Sequence, residues 1–203
     1  MSRFPAPAPP YVGPPANYSG LNNKPITRVV IHSAVMPCEP GRARQLGAMN
    51  RTGSTGGSWH YAVDPAEVLQ TSYDSVVCWH APPNRGSLGI EMTDWPGPVP
   101  GMKRRTRAWV AARRAWRWAK PAQRRMLRRT ADLTAELCLA YGLPLRYVTA
   151  RGLRAGRQGV TTHAEVSKAW GQSDHWDPGF WPRRLFMRRV RRTAKRLRAD
   201  KGK

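Results

Sequence analysis

Residues 27–32 read Thr-Arg-Val-Val-Ile-His, and this short stretch decides the class of fold. Its three consecutive β-branched residues form a continuous apolar run, which is typical of a strand buried on both faces of a sheet. The run ends at His32, and a loop rich in Pro and Gly follows from Ser33 onward. The sequence therefore predicts a buried strand that carries a histidine at its end.

Three further segments have the composition of strands. Residues 59–63 (Trp-His-Tyr-Ala-Val) and 76–79 (Val-Val-Cys-Trp) are short and rich in aromatic and β-branched side chains. Residues 86–92 (Gly-Ser-Leu-Gly-Ile-Glu-Met) form another candidate strand, which follows a turn at residues 82–84. Several strands therefore come before the long helix of the chain.

That helix is expected from Pro121 to Tyr141, because Pro suits a first helical position and Gly142 and Pro144 act as stop signals. Residues at helical spacing predict one buried stripe along it: Met126, Thr130, Leu133, Leu137 and Tyr141. A basic C-terminal helix is expected over residues 185–197, with apolar side chains roughly on one side. Strands and helices within 203 residues indicate one α/β domain with tails.

Positive charge is concentrated in two segments. The chain has 35 Lys and Arg against 12 Asp and Glu, which gives a net charge of +23. Residues 103–129 hold 12 basic and no acidic residues, and residues 183–203 hold 11 basic residues and one acidic residue. The rest of the chain is nearly neutral, so the charge indicates a polyanionic partner such as nucleic acid, anionic lipid or a wall polymer.

Composition also divides the chain into a domain and its flanking segments. Residues 1–25 contain seven prolines, which favours an extended arm that packs little apolar surface. We assign residues 26–187 to the domain, with a basic aromatic insertion at 103–120, and residues 188–203 to a cationic tail. No apolar signal region or membrane-spanning run is evident, so we expect synthesis in the cytoplasm without an export signal.

The number and spacing of the three cysteines argue against a disulfide framework. Cys38, Cys78 and Cys138 are odd in number, lack close metal-type spacing, and include one residue within a helical apolar pattern. A bridge between Cys38 and Cys78, formed after release from the cell, stays open as an alternative.

Five histidines are the main candidates for chemistry. His32 ends a strand, His163 lies in a polar run, and His175 lies in a loop with several acidic residues. Two imidazoles and a carboxylate would make a three-ligand zinc site with a fourth position open for water. Spacing does not select the ligands, because the candidate carboxylates are four: Glu91, Glu165, Asp174 and Asp177.

Six segments match, in order, the motifs of one family. They are residues 29–33 (VVIHS), 58–64 (SWHYAVD), 79–84 (WHAPPN), 87–91 (SLGIE), 162–166 (THAEV) and 174–179 (DHWDPG). Together they resemble the zinc-dependent N-acetylmuramoyl-L-alanine amidases that share a fold with peptidoglycan recognition proteins, most closely the amidase domains of actinobacteriophage endolysins. The resemblance covers roughly residues 26–187. It implies a mixed central β-sheet flanked by helices, with a surface groove.

The resemblance also implies roles for individual residues. It assigns Zn²⁺ to His32, His163 and Asp177, and it makes Glu91 the general base. The alternative for Glu91 is a charged residue on a solvated strand face. His175 stands where many relatives have a lysine that stabilises the oxyanion or protonates the leaving amine, and a protonated imidazole can serve either purpose. The alternative for His175 is a residue that braces the loop.

Three aromatic or polar positions are assigned to the groove. Trp59 occupies the place of a tyrosine that contacts the metal water in some relatives, but an indole cannot act as a phenolic acid or base, so we expect it to line the groove. His80 matches a substrate-contacting histidine and is assigned to substrate together with Asn84. His60 is expected in the core.

These observations favour a peptidoglycan hydrolase of the endolysin type, which cuts the amide between N-acetylmuramic acid and the L-Ala of the stem peptide. Two alternatives are a non-catalytic peptidoglycan-binding module and a nucleic-acid-binding protein, the latter suggested by Arg and Trp interleaved in residues 103–120. We expect a monomer without a stable protein partner. Its basic segments are expected to bind anionic wall polymers or a membrane surface, and its action on the cell wall is expected to follow holin-dependent release from the host cytoplasm.

Overall fold

The computed structural model describes residues 14–94 and 118–201. Within these residues it contains the following strands: β1 (Tyr18–Leu21), β2 (Arg28–Ala34), β3 (Tyr61–Val63), β4 (Val68–Gln70), β5 (Val76–Cys78), β6 (Ser87–Thr93) and β7 (Gly159–Thr162). The helices are α1 (Arg42–Thr52), α2 (Pro121–Ala140), α3 (Ala150–Arg154), α4 (His163–Trp170) and α5 (Arg183–Lys201). In this part of the chain no helix has both the length and the apolar character of a membrane span.

The central sheet is mixed and has the strand order β4-β3-β6-β2-β7. Strand β2 pairs in parallel with both β6 and β7, β3 pairs in parallel with β6, and β4 pairs antiparallel with β3. Strands β1 and β5 form a separate antiparallel pair. The predicted α/β class with a mixed sheet flanked by helices is confirmed.

The predicted strand at residues 27–32 is central in this sheet. Successive side chains of β2 point to opposite faces, as strand geometry requires. Val29 and Ile31 pack into a large core with α2 and α5, whereas Val30 packs on the opposite face with residues of α3 and α4. His32 shares the face of Val30, so the strand places it on the side of α4 and away from the large core.

The long helix is confirmed to within one residue, since α2 ends at Ala140 and Tyr141 is its C-cap. Four members of the predicted stripe are buried: Met126, Thr130, Leu133 and Leu137. Helix α5, in contrast, is longer than its prediction and runs unbroken through the boundary that we set between residues 187 and 188. Val190 and Ala194, beyond that boundary, are fully buried. The described part of the segment assigned to a tail therefore packs as a helix on α2.

Parts of the structure were not predicted. Residues 42–52, placed in a loop by the sequence analysis, form α1. Residues 18–21 of the expected arm form β1, which pairs with β5. Residues 1–13 of the arm and 95–117, which include most of the basic aromatic insertion, lie outside the described residues. Trp118 from the insertion is buried and donates its indole N–H to the carbonyl oxygen of Phe180.

The three cysteines are free thiols in buried positions, so the Cys38–Cys78 bridge is not formed. Cys38 packs in the large core, where its Sγ lies 3.7 Å from Sδ of Met126. Burial raises the pKa of Cys138 to about 12. A buried thiol with a raised pKa is unreactive, because the thiolate is the nucleophile.

Candidate metal centre

Two histidines meet at one edge of the sheet. His32 lies near the end of β2, and His163 is the first residue of α4, directly after β7. Because β2 and β7 are neighbouring parallel strands, with Ile31 opposite Thr162, their carboxyl ends bring the two rings together. Thr162 caps α4 by accepting a hydrogen bond from the backbone N–H of Glu165, which fixes where the helix begins.

The loop between α4 and α5 supplies the carboxylate. The backbone N–H of Ser33 donates to Oδ2 of Asp177 at 3.3 Å, and the N–H of Ala164 donates to the carbonyl oxygen of Asp177 at 2.9 Å. Asp177 is thus tied to the residues that follow His32 and His163. The loop position of this side chain is set by the same two strands that position the imidazoles.

The three side chains form one compact cluster. Oδ2 of Asp177 lies 3.2 Å from Nδ1 of His32, and Oδ1 lies 3.2 Å from Nδ1 of His163. One potential ligand atom from each residue falls within 4.8 Å of the others. All three residues are buried. The donor set that the resemblance implied is therefore assembled in one place.

The other ring nitrogen of each histidine has its own partner. Nε2 of His32 lies 3.1 Å from Nδ1 of His80, and Nε2 of His163 lies 3.2 Å from Oγ of Ser173. Such outer contacts are typical of metal-binding histidines, whose second nitrogen is held so that the first faces the ion. Two Nδ1 atoms and one carboxylate fit a zinc site with an open fourth position.

The electrostatics favour the protonation states that bind a cation. Burial, with His32 and His175 nearby, lowers the pKa of His163 to about 4, although Asp177 opposes the shift. Burial alone would raise the pKa of Asp177, but hydrogen bonds from the surrounding histidines hold it well below its ordinary value. At neutral pH His163 is therefore uncharged and Asp177 is ionised, as metal ligation requires.

Glu91 lies beside the cluster and is not solvated. It stands opposite His32 in the parallel register of β2 and β6, and its Oε2 is 4.0 Å from Nδ1 of His32. Its residue exposure is 9%, so the alternative of a solvated strand face is wrong. Burial, together with the nearby charge of Asp177, raises the pKa of Glu91 well above its ordinary value.

His175 covers the cluster from the solvent side. Its ring stacks on His163 with centroids 4.2 Å apart and planes 9° apart, and its Nδ1 is 3.7 Å from Oδ1 of Asp177. Its side chain is 61% exposed. Interaction with the Asp177 carboxylate raises the pKa of His175 against the effect of its partial burial. The residue is placed to meet a substrate as well as to brace the loop.

His80 makes its polar contacts inside the protein. The ring is buried, and its Nε2 lies 3.1 Å from Oγ of Ser87 while Nδ1 faces His32. Asn84, also assigned to substrate, uses its Oδ1 to accept hydrogen bonds from the backbone N–H groups of His80 and Ala81. The observed contacts of both residues hold His32 and the turn at 80–84, and their contact with substrate stays a prediction. Sequence patterns miss this role, because it depends on a contact between strands far apart in the chain.

Two other predictions concern residues next to these. Trp59 is buried against Leu46 and Leu69 and also borders the cleft, although its indole N–H has no hydrogen-bond partner among the described residues. His60 is fully buried, and its Nδ1 accepts from the backbone N–H of Gly89. The prediction of His60 as a core residue is confirmed.

The cluster lies in a cleft of about 930 Å³. Its lining includes His32, Glu91, Trp59, Trp79, His175 and Asp177. A second cleft of about 1020 Å³ is also lined by the loop at residues 173–179, and the two clefts share Ser173, His175 and Trp176. The site is therefore accessible to an extended substrate, which agrees with the expected surface groove.

The sequence profile of the N-acetylmuramoyl-L-alanine amidase family matches residues 22–180. The match spans most of the chain, and the protein belongs to this family. It is accordingly an amidase of a family of peptidoglycan hydrolases. A comparison with curated proteins finds no match.

Solved structures share the fold at low sequence identity. The Staphylococcus aureus hydrolase AmiA, solved with its ligand, is 16% identical with a TM-score of 0.60, over 94% of this chain and 85% of AmiA. A mutant of PlyL is 15% identical with a TM-score of 0.54, over 88% and 90% of the two chains. A mutant endolysin from Bacillus subtilis is 19% identical with a TM-score of 0.51, over 86% and 90%. Identities this low show the fold alone.

Proposed function

We propose that this protein hydrolyses the amide between the lactyl group of N-acetylmuramic acid and the L-Ala of the stem peptide, with a zinc ion held by His32, His163 and Asp177. The observation that carries the proposal is the convergence of these three side chains in an open cleft, each fixed by a separate outer contact. Family membership supports this choice of bond. The retained donor set favours catalysis over recognition alone.

Zinc bound at this cluster would polarise the scissile carbonyl and lower the pKa of water to about 7. The protein's own contribution begins with Glu91, whose carboxylate lies on the cluster side of β6. Its raised pKa makes it a better proton acceptor than an ordinary carboxylate. Glu91 therefore accepts a proton from the attacking water.

His175 is placed to act on the substrate after water attacks, at the oxyanion or at the leaving amine. As the exposed ring over His163, it contacts whatever occupies the cleft above the cluster. In its protonated form it stabilises the developing oxyanion or donates a proton to the leaving amine. Trp59 provides apolar surface at the edge of the cleft and no proton.

The test compares zinc content and amide hydrolysis in four purified proteins: wild type, His163→Ala, Asp177→Asn and Asp200→Asn. Asp200 is an exposed carboxylate near the end of α5, so it serves as the matched control. We expect about one zinc per chain and release of L-Ala amino groups from peptidoglycan in the wild type and the control, with both lost in the two ligand variants. Metal-free wild-type protein that binds peptidoglycan without cutting it would instead identify a recognition module.

The proposed biological setting is a bacteriophage endolysin that reaches the wall of its host after release through a holin. Co-expression in a bacterial host tests this setting, because turbidity should fall only when a membrane-permeabilising holin is present. Lysis by the amidase alone would contradict holin-dependent release.

A further inference from the structure

The apolar side of α5 is already used inside the protein. Phe186, Met187, Val190 and Ala194 are buried in the large core with residues of α2. Arg189 donates to both oxygens of Asp132 at 2.8 and 2.7 Å, which ties α5 to α2. The helix is therefore fixed in one orientation. Its buried apolar side is not available to enter a lipid bilayer, and Leu185 in the first turn is the large apolar residue of α5 that is exposed.

The opposite side of α5 carries a row of exposed cations. We call this row the α5 cationic face, and its members are Arg184, Arg188, Arg191, Arg192 and Lys195. Neighbouring members are mostly three or four residues apart, which places the five cations on about three helical turns, over about 17 Å of helix. Among the described residues, no salt bridge involves a member of this face. Like charges at this spacing repel one another, so the face costs stability unless an external anion binds.

The chemistry of the face favours phosphate. Four of its five members are arginines, whose planar guanidinium groups bind phosphate oxygens in pairs. A membrane-bound amphipathic helix would need an apolar side along its length, and in α5 that side is buried, apart from Leu185 in the first turn. A regular row of cations on a fixed helix fits a linear chain of phosphates bound by charge.

The N-terminal end of the α5 cationic face adjoins the second cleft. Arg183 and Arg184, at the first turn of α5, border the second cleft. That cleft shares His175 and the loop at residues 173–179 with the cleft above the metal centre. A polymer lying along the face would thus extend toward the peptidoglycan strand being cut.

We propose that the α5 cationic face binds phosphodiester wall polymers attached to peptidoglycan, and so holds the enzyme on its substrate. The choice of a wall polymer over another phosphate chain rests on the proposed function. The basis of the proposal is the juxtaposition of an unpaired, exposed cation row with the cleft that adjoins the metal centre.

The experiment uses the full chain and two variants with equal net charge. The first replaces four members of the face by Gln: Arg188, Arg191, Arg192 and Lys195. The matched control replaces four exposed cations elsewhere by Gln: Lys24, Arg51, Arg151 and Arg157. Binding is measured on ice to Gram-positive cell walls, before and after hydrofluoric acid extraction of their phosphodiester polymers. Hydrolysis of a soluble, phosphate-free muropeptide is measured in parallel as a separate test of the amidase.

The face variant is expected to bind untreated walls about tenfold more weakly or worse, with a shallower salt dependence, because fewer phosphate contacts are made. The control variant should bind like the wild type, and all three proteins should hydrolyse the soluble muropeptide equally. Equal losses in both variants, or unchanged wild-type binding to extracted walls, would overturn the proposal. So would a face variant that loses affinity for duplex DNA or anionic lipid vesicles while keeping its affinity for walls. Absence of muropeptide hydrolysis in the wild type would refute the proposed amidase activity. The comparison of wall binding between the variants would still test the α5 cationic face.

Discussion

Nε2 of His32 lies 3.1 Å from Nδ1 of His80, although the two residues are 48 positions apart in the chain. Burial and nearby positive charge keep the pKa of His80 well below its ordinary value, so its ring is neutral at pH 7. The hydroxyl of Ser87 donates to the carbonyl oxygen of Asn84, so Oγ of Ser87 accepts from Nε2–H of His80. Nδ1 of the neutral His80 ring is then the acceptor for the N–H of His32. This contact leaves Nδ1 of His32 facing Asp177, and it makes His80 a positioning residue.

Replacing His80 should therefore weaken metal binding without removing a ligand. We expect His80→Ala to reduce zinc affinity about 10- to 100-fold, the usual effect of losing an outer contact to a ligand. His80→Gln should recover part of this loss, because its amide oxygen can accept the same hydrogen bond. Competition with a chromogenic chelator measures the affinity directly. Unchanged affinity in His80→Ala would show that the ring contacts substrate only.

Gly89 gives an independent means of moving the same ring. A Cβ at this position of β6 would lie 2.7 Å from Cγ of His80, which is too close for any side chain. We expect Gly89→Ala to displace His80 and lower zinc affinity. Because both changes act through one contact, the double variant with His80→Ala should lose less than the sum of the two effects. Additive losses would indicate that Gly89 acts elsewhere in the sheet.

Glu91→Gln separates proton transfer from metal binding. The amide keeps the size of the side chain but cannot accept a proton from water, so amide hydrolysis should fall about 100-fold or more. Zinc content should stay near that of the wild type, because His32, His163 and Asp177 are retained. The exposed Glu39→Gln serves as a control with the same change of charge. Activity near the wild-type level in Glu91→Gln would exclude a general-base role.

The sequence predicted those parts whose signal is local. A β-branched run gave β2, and apolar spacing with Pro and Gly boundaries gave α2. Helix α1 was missed because its first turn has no local side-chain cap, and its Ala43 N–H is instead bound by Asp64 from a distant loop. Strand β1 depends likewise on pairing with β5. The role of His80 could not be predicted, since it depends on the packing of Gly89 and Ser87 against the ring.

Asp132 links α2 to α5 and should give stability a specific pH dependence. Burial opposes its charge, but hydrogen bonds from Arg189 and Thr193 outweigh burial and lower its pKa. A lowered folded-state pKa stabilises the protein above the unfolded value of about 4, and this contribution is lost as pH falls through the folded value. Asp132→Asn should thus cost about 1–2 kcal/mol at pH 7 and progressively less below pH 4.

Urea unfolding at pH 7 and at pH 3 checks this expectation. EDTA is present in both series, so that metal binding does not contribute to the measured stability. Asp200→Asn, which changes an exposed carboxylate near the end of α5, is the control. A loss in Asp132→Asn that is the same at pH 3 and pH 7 would show that packing, and not the charged pair, accounts for it.

Truncation after residue 187 should unfold part of the core, contrary to what a detachable tail would do. The deleted residues include Val190 and Ala194, which are fully buried, and Arg189, which binds Asp132. Removing buried side chains exposes the facing surface of α2, and a single large apolar truncation already costs about 2–5 kcal/mol. We expect a clear fall in the urea midpoint for the truncated protein, whereas the four Gln substitutions on the α5 cationic face should leave the midpoint almost unchanged. A truncated protein with wild-type stability would mean that α5 beyond residue 187 contributes charge alone, and the charge variants would then be expected to reproduce every effect of the deletion.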